Sequence, residues 1–496
     1  MLHRPLLSVS VGLLAFLLFI ASVYRAWTLS ISMDEAYTYL SFVAPPLKQI
    51  LSTYSPNHNV LYSLLAKAST LAFGASEFSL RAPALVGGLL CQIVTIALSL
   101  RLLKNQLIAF LCVCLIALNP MVFDYMSEAR GYSLALACFL GGLLYAVPVL
   151  IEGADRSRLR LVAAAGLFGL SVAAHLMFAI PILAFNMIFA VLYYRRHHFW
   201  NGAFWRCFVL PQIVVAGAIT GGPLLHAQRQ AFVGGFDTIL QTLNNFAISC
   251  VLHDWDGNGV LTYQVNTWVS GWFYTIFRSV FVLAIIFALF ISVHSFVSNA
   301  RELRENLLPG NVWLLTSAAT IVLSTLIAIV AHILVRVPYP FGRFVLYWWP
   351  LWVIVLCLMI ERLWRDGPVA RYIGVFFFIF ALTMTIDSAL QFDLSHFGWL
   401  QYSAGTRAAA KFIRDDASHA PPKNITISVS GSLYPSLDFY RSIYSMDTWR
   451  LVLPSADPRS VDYVVRDVFD KPQPGYRVVW QDSLSKASIA VPLTAH

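Results

Sequence analysis

Charge is what this sequence has least of. Only 12% of its 496 residues are Asp, Glu, Lys or Arg, about half the roughly 25% of a soluble globular chain. That scarcity excludes a disordered chain, a disulfide-built secreted module and an ordinary cytosolic enzyme of two or three domains. Cysteine is sparse too: seven residues, at 91, 112, 114, 138, 207, 250 and 357, most of them inside apolar blocks. No Cys-x-x-Cys spacing occurs, so the sequence offers neither a disulfide framework nor a cysteine metal site. Internal repeats and matched pairs of interrupted apolar segments are also missing, which speaks against the inverted-repeat architecture of many transporters.

What is abundant is apolar: 58% of the chain is hydrophobic. Those residues come in blocks of roughly 18–25, long enough to cross a hydrocarbon core of ~30 Å as helices. The pattern predicts a polytopic membrane protein of about eleven spans, near 6–23, 82–100, 107–123, 132–151, 161–175, 177–194, 208–224, 273–293, 312–334, 344–361 and 370–388. The first block follows His3 and Arg4 and reads as an uncleaved span, not a signal peptide. Lys and Arg number 34 against 25 Asp and Glu, a formal +9. The basic residues gather between apolar blocks, at Arg101/Lys104, Arg156/Arg158/Arg160, Arg195/Arg196/His197/His198 with Arg206, Arg301/Arg304 and Arg362/Arg365/Arg371. Alternating the spans puts all these clusters on one side, as the positive-inside rule requires of cytoplasmic loops. The excess charge is thus explained by the membrane, with no nucleic-acid partner.

Four outer segments remain, at 24–81, 124–131, 225–272 and 335–343, together with everything after 388. That last region changes character. Residues 425–429, 461–465 and 477–480 read as strands and 403–416 as an amphipathic helix. The expected fold class is mainly α: a membrane helical domain over 1–388 and a small α/β domain over 389–496 on the outer surface.

Chemistry-bearing residues collect in the outer segments. Asp34 and Glu35 lie about ten residues beyond the first span; neighbours on a helix diverge by roughly 100°, so they cannot aim at one point. Asp34 reads as a general base in a water-poor cleft, with a solvated carboxylate pair at a helix start as the bland alternative. His58, in Ser55-Pro-Asn-His-Asn59, would contact a phosphate or hold its loop. Arg81 reads as a snorkelling interfacial anchor or as a pocket residue. In Ser127-Glu-Ala-Arg-Gly-Tyr132, Arg130 lies on the outer side against the charge trend, so an assigned partner is expected, with Glu128 and Tyr132 beside it. His175 sits near a membrane boundary, as a pocket group or a packing residue. His253 and Asp256 resemble a metal pair but lack further ligands. The last loop, Arg336-Val-Pro-Tyr-Pro-Phe-Gly-Arg343, places two arginines and Tyr339 in a Pro/Gly-rich turn. Guanidinium forks suit phosphate oxygens, and Gly342 permits close backbone approach.

Taken in order, these pieces resemble the bacterial GT-C membrane glycosyltransferases: protein O-mannosyltransferase-like proteins, lipid A aminoarabinose transferases and lipopolysaccharide-core galacturonosyltransferases. The resemblance covers roughly residues 30–360. It rests on Asp34-Glu35, His58-Asn-Val-Leu-Tyr62, Glu77-Phe-Ser-Leu-Arg-Ala-Pro83, Ser127-Glu-Ala-Arg-Gly-Tyr132 and Gly342-Arg343. It implies an inverting transferase of the bacterial inner membrane that takes a sugar from a polyprenyl-phosphate donor on the periplasmic face. The acceptor would be a cell-envelope glycan, lipid or protein. Asp34 would be the catalytic base; Arg343, Arg336 and Arg130 would bind the donor phosphate. Glu35, His58, Arg81, Glu128, Tyr132, His175 and Tyr339 would line the substrate pocket. No cofactor is required, although Glu35 and Glu128 leave room for a divalent metal. Where relatives commonly carry prolines after the histidine, this chain has Asn59. The rival classes are a lipid-linked glycan flippase or transporter, which needs charges buried mid-span, and an oligosaccharide polymerase or ligase. The carboxylates so near the first span favour the transferase.

Overall fold

The computed structural model describes residues 4–151, 157–197, 202–227, 235–251, 260–298, 309–418, 424–454, 461–471 and 474–493. Arg156, His198, His253, Asp256, Arg301 and Arg304 lie outside them. The helices run α1 Arg4–Thr28, α2 Met33–Thr38, α3 Leu47–Ser52, α4 Val60–Phe73, α5 Glu77–Leu102, α6 Gln106–Ala117, α7 Pro120–Tyr125 and α8 Tyr132–Ile151. They continue with α9 Ser157–Ala174, α10 Ala179–His197, the single turn α11 Gly202–Phe204, α12 Leu210–Leu225, α13 Ile239–Val251 and α14 Val260–Ser298. Then come α15 Pro309–Val335, α16 Trp348–Leu363, α17 Pro368–Leu390, α18 Thr406–Ala417 and α19 Tyr434–Ile443.

Each of the eleven apolar blocks is helical, and among the described residues eight helical stretches are long and apolar enough to cross a membrane. The expected span 107–123 is the clearest departure. It stops at Ala117 because Asn119 and Pro120 restart the helix: Asn119 caps α7, its Oδ1 accepting the Val122 amide at 3.2 Å, and Pro120 takes the first helical position. The break turns α7 so that Asp124 faces inward. α16, only 16 residues long, is the central post: Trp349 and Trp352 are fully buried and pack against Phe277 of α14.

The predicted α/β region is present. Strands β1 Ile425–Val429, β2 Trp449–Val452, β3 Tyr463–Arg466, β4 Tyr476–Gln481 and β5 Ser488–Pro492 form one sheet in the order β2-β1-β3-β5-β4. β1 is parallel to β2 and β3; the β3–β5 and β4–β5 pairs are antiparallel. α18 and α19 carry this sheet onto the end of α1. Arg407 donates to the carbonyls of Thr28 (3.0 Å) and Leu29 (2.9 Å) and to Glu77 (2.7 Å). The Tyr440 hydroxyl accepts from the Ile31 amide and donates to Glu77, both at 2.9 Å. The open carbonyls at the C-terminus of α1 are thereby satisfied by side chains from distant parts of the chain.

Candidate functional site

α2 positions both carboxylates, and its cap explains how. Ser32 and Glu35 form a reciprocal capping box: the Ser32 hydroxyl accepts the Glu35 amide at 3.3 Å and Glu35 Oε2 accepts the Ser32 amide at 2.8 Å. Helical divergence then sends the two acids different ways. Glu35 meets Arg81 in a two-pronged pair, Nε to Oε1 at 2.7 Å and Nη2 to Oε2 at 2.6 Å, with both side chains fully buried. Oε1 also accepts the Ala129 amide at 2.6 Å. The remaining Arg81 donors close the carbonyls of Leu29 and Ser30, each at 2.8 Å. Arg81 is therefore neither a snorkelling anchor nor a pocket residue. With Glu35 it is an internal strut joining α1, α2, α5 and the loop before α8. Glu35, with both oxygens occupied, is ill-suited to the metal and pocket roles expected of it.

Asp34 faces the other way. Its Oδ2 is 2.8 Å from Arg130 Nη1 and 3.3 Å from Arg343 Nη1, and its Oδ1 accepts from Asn57 Nδ2 at 3.2 Å. Three outer segments, separated by up to 309 residues, meet on this carboxylate. Burial would raise its pKa, but the guanidinium charges of Arg130 and Arg343 and the Asn57 and Arg130 hydrogen bonds outweigh that and hold it below the usual carboxylate range. Gly342 is required beside Arg343: a Cβ there would lie 2.6 Å from the Phe246 nitrogen. Its amide is fixed by Asn245 Oδ1 at 2.8 Å.

Arg343 opens onto a cavity of about 540 Å³ whose lining is mostly apolar and aromatic. One side is built by Pro120, Met121, Asp124, Tyr125 and Glu128, with Asn245, Ile248 and Ser249 of α13. The other comes from the carboxyl-terminal region: Phe397, Gly398, Leu400, Tyr402 and Phe469. Asp34 is not in the lining; it stands behind Arg343. Asp124 is paired with the buried Arg25 at 2.6 Å. Glu128 is only 4% exposed. Burial above all pushes its pKa up to about 8, Arg130 opposing and the charges of Glu35, Asp34 and Asp124 adding to it.

Several expected pocket residues lie elsewhere. Arg336 is exposed at the end of α15, with a left-handed φ of 57°, and does not line the cavity, so the two-arginine turn is a single-arginine site. His58 holds its loop: Nδ1 is 2.9 Å from the Thr53 carbonyl and the ring stacks on Phe42 at 3.8 Å. Burial pushes its pKa down to about 4, so it is a neutral packing group at physiological pH. His175 caps the turn before α10 by accepting the Met177 amide at 3.3 Å, and its ring lies 4.2 Å from Tyr132. Tyr132 is buried between His175 and Tyr125. Tyr339 stacks on His332 and bridges to Phe236, leaving Phe236 and Phe341 to face the cavity.

The sequence reading missed Arg25, Asn245 and the aromatic wall from beyond residue 396. Phe397 is the most unexpected, its ring standing 4.7 Å from the Arg25 guanidinium and 5.1 Å from that of Arg81. An arginine in the last turn of an apolar span is the one signal that pointed to this cluster. Among the described residues, no three His, Cys, Asp or Glu side chains converge as a metal cage.

No protein-family model matches this chain, and neither does any curated protein. Two solved structures are similar to it along nearly their whole length, both of ArnT from Cupriavidus metallidurans. The one bound to undecaprenyl phosphate shares 14% identity at a TM-score of 0.43, covering 98% of both chains. The apo state shares 14% identity at a TM-score of 0.42, covering 97% of both.

Proposed function

We propose that this protein transfers a sugar from a polyprenyl-phosphate donor to a cell-envelope acceptor on the outer face of a bacterial inner membrane. The observation that carries the reading is the meeting of Asp34 and Arg343 at 3.3 Å beside a mostly apolar cavity. Charge supports it. Arg25, Arg81 and Arg130 each have a carboxylate, whereas Arg343 shares Asp34 with Arg130. Glu128 is held largely protonated at neutral pH. Arg343 places a guanidinium on a mostly apolar cavity wall, which suits a phosphate.

In this reading the phosphate of the donor lies against Arg343, with Arg130 behind it, and its isoprenoid end lies along apolar lining. Attack at the anomeric carbon inverts it and leaves a polyprenyl phosphate, whose growing negative charge Arg343 stabilises. Asp34 belongs to the same centre, opposite in sign to the charge that develops on the sugar ring. The carboxyl-terminal region stands on the periplasmic side and supplies a wall of the acceptor space. A metal is not needed, since the leaving group is already an anion.

The test is direct. Purified protein in lipid nanodiscs is incubated with lipid-linked sugars extracted from the native membrane, and release of polyprenyl phosphate is followed. Wild type is expected to consume a lipid-linked sugar, and Asp34→Asn to fold but not consume it. Movement of the intact lipid-linked sugar across vesicles without cleavage would instead favour a flippase.

A further inference from the structure

Asp34 is the acid that the sequence suggests as a base, yet its geometry is that of a clamp. Its Oδ2 carries two arginines and its Oδ1 carries Asn57. It also stands off the cavity wall. A carboxylate held in this way is a weak proton acceptor, because taking a proton means giving up two charge-assisted contacts. Glu128 is the opposite case. It lines the cavity a few residues from Arg130, and among the described residues no hydrogen bond or ion pair engages its carboxyl group.

We infer that Glu128 takes the proton from the attacking hydroxyl of the acceptor, while Asp34 sets Arg130 and Arg343 for the donor phosphate. The inference rests on the transferase reading above. The hydroxyl oxygen forms its bond to the anomeric carbon as the bond from that carbon to the phosphate oxygen breaks. The electron pair leaves on the polyprenyl phosphate, the hydroxyl proton moves to Glu128, and Glu128 later returns it to water. The surroundings suit this task. Arg130 on its own loop, Asp34 and Glu35 on α2 and Asp124 on α7 act on Glu128, as do Tyr62 on α4, Tyr125 on α7, Tyr132 on α8 and Tyr402. With a pKa of about 8, it is poised near the working pH, where a general base is most effective.

The experiment is a pH profile of sugar release from the native lipid-linked pool, with wild type, Glu128→Gln and Glu128→Asp in nanodiscs. Wild-type transfer should rise about tenfold per pH unit towards pH 8 and then level off. Glu128→Gln should lose about 100-fold or more while binding undecaprenyl phosphate as wild type does, and Glu128→Asp should recover part of the rate. An infrared carboxylic-acid band present at pH 6, gone at pH 9 and missing from Glu128→Gln would support the assignment independently of turnover. A flat profile from pH 5 to 9, or a Glu128→Gln variant with wild-type turnover, overturns the inference alone. No transfer by wild type at any pH overturns the transferase reading as well.

Discussion

Asp34 and Glu35 are adjacent in the chain, and each is bound by arginine, but their surroundings are opposite. The Glu35–Arg81 pair is sealed, with every oxygen answered and neither side chain exposed. In the Asp34 cluster, Arg343 keeps 20% of its side chain exposed and faces the cavity. The first arrangement fixes where α2 sits; the second sets a partly exposed guanidinium on the cavity wall. Burial against access to the cavity, more than the presence of an ion pair, separates a strut from a site.

The largest effect should come from breaking the strut. Arg81→Met leaves Glu35 buried without its partner, which costs roughly 3–5 kcal/mol; thermal unfolding in detergent should show a protein that melts far lower or fails to accumulate. A normal melting curve would remove the distinction between the two pairs.

A third carboxylate sharpens the contrast. Unfolded Glu128 ionises above its ordinary 4.5, but folded Glu128 only above about 8. Folding therefore loses stability as pH rises from 4.5 to 8, by up to a few kcal/mol. Glu128→Gln should abolish that slope and be the more stable protein at pH 8. For Asp34 the sign reverses: its lowered pKa contributes stability at neutral pH that disappears as pH falls through the carboxylate range. Asp34→Asn should cost about 1–3 kcal/mol, less than breaking the strut, while eliminating transfer; equal losses from both would contradict the comparison.

The smallest effect is expected one step away. Asn245→Ala removes the acceptor that fixes Gly342. A loss of about 1 kcal/mol would weaken binding of undecaprenyl phosphate about fivefold. Full affinity in this variant would mean that Arg343 holds its position without Asn245.

The sequence carried much of this. Apolar runs marked each of the eight long apolar helices among the described residues but not the break at Asn119-Pro120, where a cap and a proline matter more than hydropathy. The helical divergence of Asp34 and Glu35 was legible, as was the need of Arg130 for a partner. The single-arginine character of the last loop was not, because local pattern gives Arg336 and Arg343 equal standing and only the end of α15 separates them. Nor could periodicity show that Phe397, Tyr402 and Phe469 close a cavity begun by Pro120, since such contacts depend on how distant elements dock. Arg81 misled for a related reason: an arginine at a span mouth reads as interfacial until a buried acid from another helix is found opposite it.

Whether Arg343 alone of the two loop arginines holds the phosphate is decided by the affinity of the protein in nanodiscs for undecaprenyl phosphate, measured for wild type, Arg343→Ala and Arg336→Ala. Arg343→Ala is expected to weaken binding about tenfold or more, and Arg336→Ala to bind as wild type does. Wild-type affinity in Arg343→Ala, or an equal loss in both variants, would contradict this expectation.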